Sequence, residues 1–188
     1  MRIIAGEHRG RLLKTPDGMG TRPMLDRVRE AVFSAIGERV VDARVLDLFA
    51  GTGSLGLEAL SRGALEALMV ERDRRVLDLL RRNVEDLALE DRATLLQGDA
   101  LEKRNWGEKG AQYDLVFFDS PYPMLDIGKT RHAILSALET LVSERLARKG
   151  LVVFHAPKEK IQEVEFSEAV VSTLREYGTN AIFFLERK

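Results

Sequence analysis

An α/β fold built on a mostly parallel sheet is what this sequence predicts, and three observations predict it. Short apolar runs alternate with stretches of helical periodicity between residues 44 and 154. The run at 113–118, Tyr-Asp-Leu-Val-Phe-Phe, is apolar apart from Asp114, as a strand covered on both faces should be. A glycine turn, Gly51-Thr52-Gly53-Ser54-Leu55-Gly56, joins an apolar run to a helical pattern, the arrangement by which strand–turn–helix units present bare backbone to a ligand.

Each element follows from its local pattern. Residues 2–5 and 11–14 are short, basic and partly apolar, with Gly6 and Gly10 flanking the segment between them; they predict a small hairpin. Thr15-Pro16-Asp17-Gly18 is a turn, and Pro23 holds Arg22 extended. Leu25, Val28, Ala31, Val32, Ala35 and Ile36 then share one helix face, with Arg27 and Arg29 off it. Strands follow at 44–49, 65–71, 93–97 and 113–118. Asp73 can cap a helix that runs to about residue 86. A helix at 130–146 leads to a fifth strand at 150–154. Strands at 170–177 and 181–186 close the chain around Gly178-Thr179-Asn180, a turn signal. Five βα steps and a terminal hairpin give a Rossmann-like sheet of seven strands.

Composition sets the bounds. The 188 residues suit one α/β domain plus a small appendage, and 45% hydrophobic with 31% charged residues can bury a core and remain soluble. No apolar run approaches the ~20 residues that cross a bilayer, and residues 1–6 lack a signal-peptide stretch. The absence of cysteine excludes disulfides, thiolate catalysis and cysteine zinc sites and fits a cytoplasmic protein. Three dispersed histidines argue against a metal site. Net charge is −1, yet residues 1–30 carry seven Arg or Lys against four acids, either a local nucleic-acid footprint or an ordinary solvated face.

Two ligands compete for the glycine turn, which matches the dinucleotide fingerprint G-x-G-x-x-G. Asp47, just before it, would repel a pyrophosphate but attract the ammonium and sulfonium of S-adenosylmethionine (SAM). Its plain alternative is a capping role toward backbone amides. Glu71 closes the second strand and can accept ribose hydroxyls of either ligand. Asp99 ends the third strand, where it can accept from an adenine amino group while Ala100 leaves room for the ring; a helix cap is the alternative.

Asp119-Ser120-Pro121-Tyr122 follows the fourth strand, where doubly wound sheets place their chemistry. An exocyclic amine delocalises its lone pair into its ring and is a poor nucleophile. The Asp119 carboxylate and the Ser120 carbonyl can each accept one N–H and aim that lone pair. Pro121 fixes the backbone, and Tyr122 offers a face for a flipped base. A bare strand–helix loop with a core tyrosine is the alternative.

This stretch resembles the D/N-P-P-Y/F motif of amino-directed SAM-dependent methyltransferases. The chain as a whole, from residue 2 to the C-terminal hairpin, resembles the bacterial small-subunit ribosomal RNA guanine-N2 methyltransferases of the RsmD type. The subfamily is carried by Arg2-Ile3-Ile4-Ala5-Gly6 with Arg9-Gly10-Arg11, and by Thr21-Arg22-Pro23 through Arg27-Val28-Arg29-Glu30-Ala31-Val32-Phe33. Leu46-Asp47-Leu48-Phe49-Ala50-Gly51-Thr52-Gly53 and the helix after it add to these. There are two departures: Ser120 stands where the family usually has Pro, and Met24 where it has Thr.

The resemblance implies methyl transfer from SAM to N2 of a guanine in 16S rRNA; with the composition above, the expectation is a cytoplasmic, monomeric enzyme without a metal, acting on rRNA that is free or in an assembling 30S particle. It implies a Rossmann-like methyltransferase domain at 23–188 and an RNA-binding hairpin extension at 1–22. SAM would lie along Asp47, Phe49, Ala50, Gly51 and Gly53, with Glu71 and Arg72 at the ribose and Asp99 and Ala100 at the adenine. Asp119, Ser120, Pro121 and Tyr122 would be catalytic, and Arg2, Arg9, Arg11, Lys14 and Arg22 would meet RNA. Rival readings are adenine N6 or a protein glutamine amide as acceptor, although a protein-directed enzyme more often shows Asn at position 119. An NAD-binding oxidoreductase and an inactive RNA-binding module remain from other classes.

Overall fold

The computed structural model describes residues 1–16, 24, 26–161, 166–167 and 169–188. Arg22, the predicted turn at residues 17 and 18, Leu25 and the 22/23 domain boundary lie outside the described residues.

Seven strands form one sheet in the order β3-β2-β1-β4-β5-β7-β6. They are β1 (Arg44–Leu48), β2 (Glu66–Glu71), β3 (Ala93–Gln97), β4 (Tyr113–Phe118), β5 (Leu146–Pro157), β6 (Ala169–Tyr177) and β7 (Asn180–Arg187). The first five are mutually parallel; β7 pairs antiparallel with both β5 and β6. The chain steps outward from β1 to β3 and returns to β4 on the other side of β1. This reversal opens a crevice at the carboxyl ends of β1 and β4. The helices are α1 (Asp26–Ile36), α2 (Gly56–Ser61), α3 (Arg74–Asp86), α4 (Pro123–Asp126) and α5 (Gly128–Thr140). Asp73 caps α3 as expected, its side chain accepting from the amides of Arg75 and Val76.

Strand alternation sorts the core into two layers. Val45, Leu115, Phe117 and Val153 face α1, α2 and α3, while Leu46, Leu48, Val116, Phe118 and Phe154 face α5. Met24 joins the first layer and is buried. Apolar packing therefore accounts for the methionine that replaces the family's threonine.

Two expectations need correction in the fifth βα step. The helical pattern that the sequence continues to residue 146 ends as a π turn at Leu141–Arg145, and β5 begins at Leu146 rather than Gly150. Pairing of Leu146 with Tyr113, followed by a register shift before Leu115, overrides the helical propensity of Leu-Ala-Arg-Lys. Between β3 and β4 the regular element is a 3₁₀ turn at Lys103–Asn105, with Trp106 buried after it; its indole N–H donates to the Ala100 carbonyl at 2.8 Å.

The N-terminal segment pairs as a hairpin through one bridge, Arg2 with Leu12. It is docked rather than free. Ile3 and Leu13 enter the main core. The amides of Ile4 and Ala5 donate to the two carboxylate oxygens of Glu58 on α2 at 2.7 and 3.0 Å. The Ser61 hydroxyl donates to the Ala5 carbonyl at 2.7 Å and accepts from the His8 amide at 3.0 Å. At Gly6, a Cβ would lie 1.8 Å from the Ser61 carbonyl oxygen, so only glycine permits this approach.

Arg29, expected off the apolar face of α1, is buried instead. Its guanidinium donates to the Arg2 carbonyl and to Asp26, and its Nε lies 3.8 Å from a Glu58 oxygen. The helical pattern placed a charge outward that an acid of α2 draws inward.

Candidate active site

The crevice collects the acids that the sequence singles out. Asp47 is the penultimate residue of β1 and is 1% exposed. One oxygen accepts the Gly56 amide at 2.8 Å, as the capping alternative required. Its other oxygen is buried without a partner. Burial, with smaller contributions from the neighbouring charges of Asp119 and Glu71, pushes its carboxyl up to about 8. A buried acid with one unpartnered oxygen is better satisfied beside a cation than beside a pyrophosphate, and Asp47 therefore fits SAM better.

The glycine turn divides into two roles. A Cβ at Gly51 would meet nothing within 4 Å, so this residue faces open space. A Cβ at Gly53 would lie 2.4 Å from Leu80 and 2.7 Å from Leu57. Gly53 thus turns the chain against the core, where any side chain would strike these leucines. Phe49 adopts φ 63° and stacks edge-on against Phe118 at 5.2 Å, while the Ala50 amide is held by the Val70 carbonyl at 3.0 Å. Together these contacts fix the turn before any ligand arrives.

Glu71 ends β2 and braces the turn: its oxygens accept the amides of Gly51 at 2.9 Å and Asp73 at 2.7 Å. A ribose would share oxygens already in use. Asp99 lies two residues past β3 and accepts the Leu101 amide at 2.9 Å, and its free oxygen is 3.8 Å from the exposed Arg72. Ala100 is buried in the second core layer.

Asp119 follows β4, with its side chain 26% exposed. One carboxylate oxygen lies 2.8 Å from His155 Nδ1, and His155 Nε2 lies 2.8 Å from the Tyr122 hydroxyl. Tyr122 and His155 rings meet edge-on at 5.4 Å. Burial, reinforced by Asp119, pushes the Tyr122 phenol up to about 12. Ser120 is buried, and its hydroxyl has no partner. Pro121 is exposed at the rim, and the next turn, α4, starts at Pro123.

His155 escaped the sequence reading. Its signal was a lone imidazole in the apolar run Val152-Val153-Phe154-His155-Ala156. The register Phe118↔Phe154 brings the next residues, Asp119 and His155, side by side.

The basic residues assigned to RNA separate. Arg11 donates to the Asp86 carbonyl at 2.6 Å, and Lys14 pairs with the Asp86 carboxylate at 2.5 Å; both tie the hairpin to α3. Arg2 is exposed and lies 3.6 Å from Asp26. Arg9 and Arg27 are exposed and carry no side-chain partner among the described residues. With Arg2 they line a cleft of about 340 Å³ between the hairpin and α1.

The chain is similar to known proteins over most or all of its length. Residues 1–186 match the family described as Conserved hypothetical protein 95. YlbH of Bacillus subtilis, provisionally named an rRNA methyltransferase, is 36% identical over 200 residues and covers 100% of both chains. Ribosomal RNA small subunit methyltransferase D of Escherichia coli is 43% identical over 122 residues, 65% of this chain and 60% of that protein's length. The solved structure of Escherichia coli yhhF, provisionally titled a methyltransferase, superimposes with a TM-score of 0.84 at 32% identity, covering 100% of this chain and 98% of that one.

Proposed function

The chain belongs to the family described as Conserved hypothetical protein 95, and from that premise we propose that it transfers the methyl group of SAM to N2 of a guanine in small-subunit (16S) ribosomal RNA. The observation that carries this reading is the pairing of two different acids in one crevice. Asp47 is buried with one oxygen lacking a partner, and Asp119 near it is anchored through one oxygen with the other left for an amine. The substrate class follows the named relatives, and the base and atom follow the resemblance in the N-terminal and Asp119–Tyr122 motifs.

When bound, SAM supplies an electrophilic methyl on a sulfonium. Asp47 would present its unpartnered oxygen to the positive charge, and Gly51 would leave room against bare backbone. Glu71 and Asp99 present acceptors at the ends of β2 and β3. At Asp119, the free carboxylate oxygen and the Ser120 carbonyl accept the two N–H groups of the amine. This positioning draws the nitrogen lone pair out of conjugation and aims it along the transfer line. Tyr122 gives the base a stacking face. No strong base is required, because the nitrogen proton becomes acidic once the methyl is in place and passes to Asp119 or to water.

RNA would enter over the hairpin side, where Arg2, Arg9 and Arg27 supply phosphate contacts that position without reading sequence. The same reading expects a monomer acting in the cytoplasm, on rRNA that is free or in an assembling 30S particle. The test is transfer of tritiated methyl from SAM to 16S rRNA, free and in 30S particles, with the product nucleoside identified by mass spectrometry. N2-methylguanosine is expected. N6-methyladenosine, or label in protein alone, would replace the substrate, and calorimetric binding of NAD instead of SAM would overturn the class.

A further inference from the structure

We propose that His155 is a positioning residue that fixes Asp119 and Tyr122 in one geometry for methyl transfer. The proposal rests on the amine-methylation reading above.

Three side chains from different parts of the chain meet in a line. Asp119 comes from the end of β4, Tyr122 from the loop before α4, and His155 from the interior of β5. The imidazole is 7% exposed and therefore confined to these partners. Across the strand pair its neighbour on β7 is Ile182, which offers no charge.

The hydrogen-bond logic leaves one arrangement for a neutral ring. An ionised carboxylate only accepts, so Nδ1 must donate to Asp119. Nε2 then carries the lone pair and accepts from the Tyr122 hydroxyl. That hydroxyl keeps its proton throughout the working range, because burial pushes its titration up to about 12.

Two consequences follow. One Asp119 oxygen is committed to the ring, so the carboxylate cannot swivel and its second oxygen keeps a fixed direction. The Tyr122 ring is drawn toward β5, which sets the face it offers to a base. A single imidazole thus holds both the amine acceptor and the stacking platform. Orienting partners of this kind typically change activity by about ten- to hundredfold when lost, as outer-shell partners of metal ligands do.

Two measurements test this. In steady-state methylation of rRNA, His155→Leu should lower kcat by roughly tenfold or more with KM for SAM unchanged. His155→Asn, whose amide nitrogen can take the place of Nδ1, should recover most of that loss. Wild-type turnover in His155→Leu, or equal loss in both variants, would overturn the proposal.

The second measurement needs no substrate and no folded Leu variant. Long-range proton–nitrogen NMR at pH 8 should show His155 as the neutral Nδ1–H tautomer in wild type. Asp119→Ala should shift it toward Nε2–H. An Nε2–H ring in wild type, or one unmoved by Asp119→Ala, would overturn the proposal. If the wild type methylates no RNA, the substrate reading fails by itself and the tautomer alone decides the role of His155.

Discussion

Two buried acids lie close in sequence, Glu58 in the first turn of α2 and Asp47 on β1 at its approach, and their surroundings differ in kind. Glu58 is wholly buried, and both its oxygens are used: they accept the amides of Ile4 and Ala5, the Arg62 guanidinium at 2.7 Å, and face Arg29 at 3.8 Å. Asp47 is as deeply buried, has no cation beside it among the described residues, and keeps one oxygen unpartnered. A buried carboxylate costs free energy unless paired. Where the chain supplies the pairing, the acid welds the N-terminal segment to the domain. Where it does not, burial pushes the acid up to about 8 and keeps it protonated until a positive charge from outside favours its ionised form. The difference separates a structural acid from a ligand-seeking one, although both read alike as a lone acid in an apolar context.

The comparison breaks most visibly at Glu58. Glu58→Leu leaves Arg29 without its buried counter-charge and two amides without acceptors. Loss of one partner of such a pair costs about 3–5 kcal/mol, so urea denaturation should show a loss on that scale. Wild-type stability would mean that the segment is held by apolar contact alone.

Next in size is Asp119→Ala. Turnover at saturating SAM should fall by about a hundredfold or more, as when a preorganised electrostatic group is removed, while calorimetric SAM affinity stays near wild type. Near-normal turnover would refute the amine-positioning role.

Asp47→Asn sharpens the contrast in two directions. SAM affinity should fall by about 1.5–3 kcal/mol, the scale of hydrogen bonds to a charged group. Stability should move the other way. The folded-state titration of Asp47 is raised from 3.8 to about 8. Below the lower value both states are protonated and the wild type carries no penalty. As pH rises toward the upper value, unfolding releases this proton and wild-type stability declines. The Asn variant, which cannot ionise, should therefore gain relative to wild type from acid pH up to about 8. Parallel melting curves across that window would contradict the assignment.

The smallest effect belongs to the exposed arginines. Arg9 and Arg27, without a side-chain partner among the described residues, are better probes of RNA contact than Arg11 or Lys14, which are engaged with Asp86. Replacing both with Ala should weaken rRNA binding and flatten its salt dependence by ~0.7–0.9 per lost phosphate contact. Melting temperature should hardly change, since exposed charges add little to stability. An unaltered salt slope would make these residues mere solvation of the hairpin.

Much of this was legible in the sequence for a physical reason: strand and helix periodicities are local. The bounds at 93–97 and 113–118 coincide with β3 and β4, and Asp47, Glu71, Asp99 and Asp119 all gather at the carboxyl ends of the parallel strands. What stayed hidden depends on pairing between distant segments. Arg29 reads as a solvated charge until α2 brings Glu58 against it. His155 reads as a lone polar residue until the β4–β5 register sets it beside Asp119. The direction of the Gly53 α-carbon, into Leu57 and Leu80 rather than toward a ligand, is a property of the folded turn and leaves no mark on the motif.

The central claim, that Asp47 is held incomplete for a cationic cofactor, is tested most directly by proton-linked calorimetry. SAM is titrated into wild type and Asp47→Asn at pH 7 in buffers of different ionisation enthalpy. With its carboxyl at about 8 in the free protein, Asp47 is mostly protonated at that pH, and the incoming positive charge favours its ionised form. The wild type should release more protons on binding SAM than Asp47→Asn does. Equal proton release by the two proteins would contradict it.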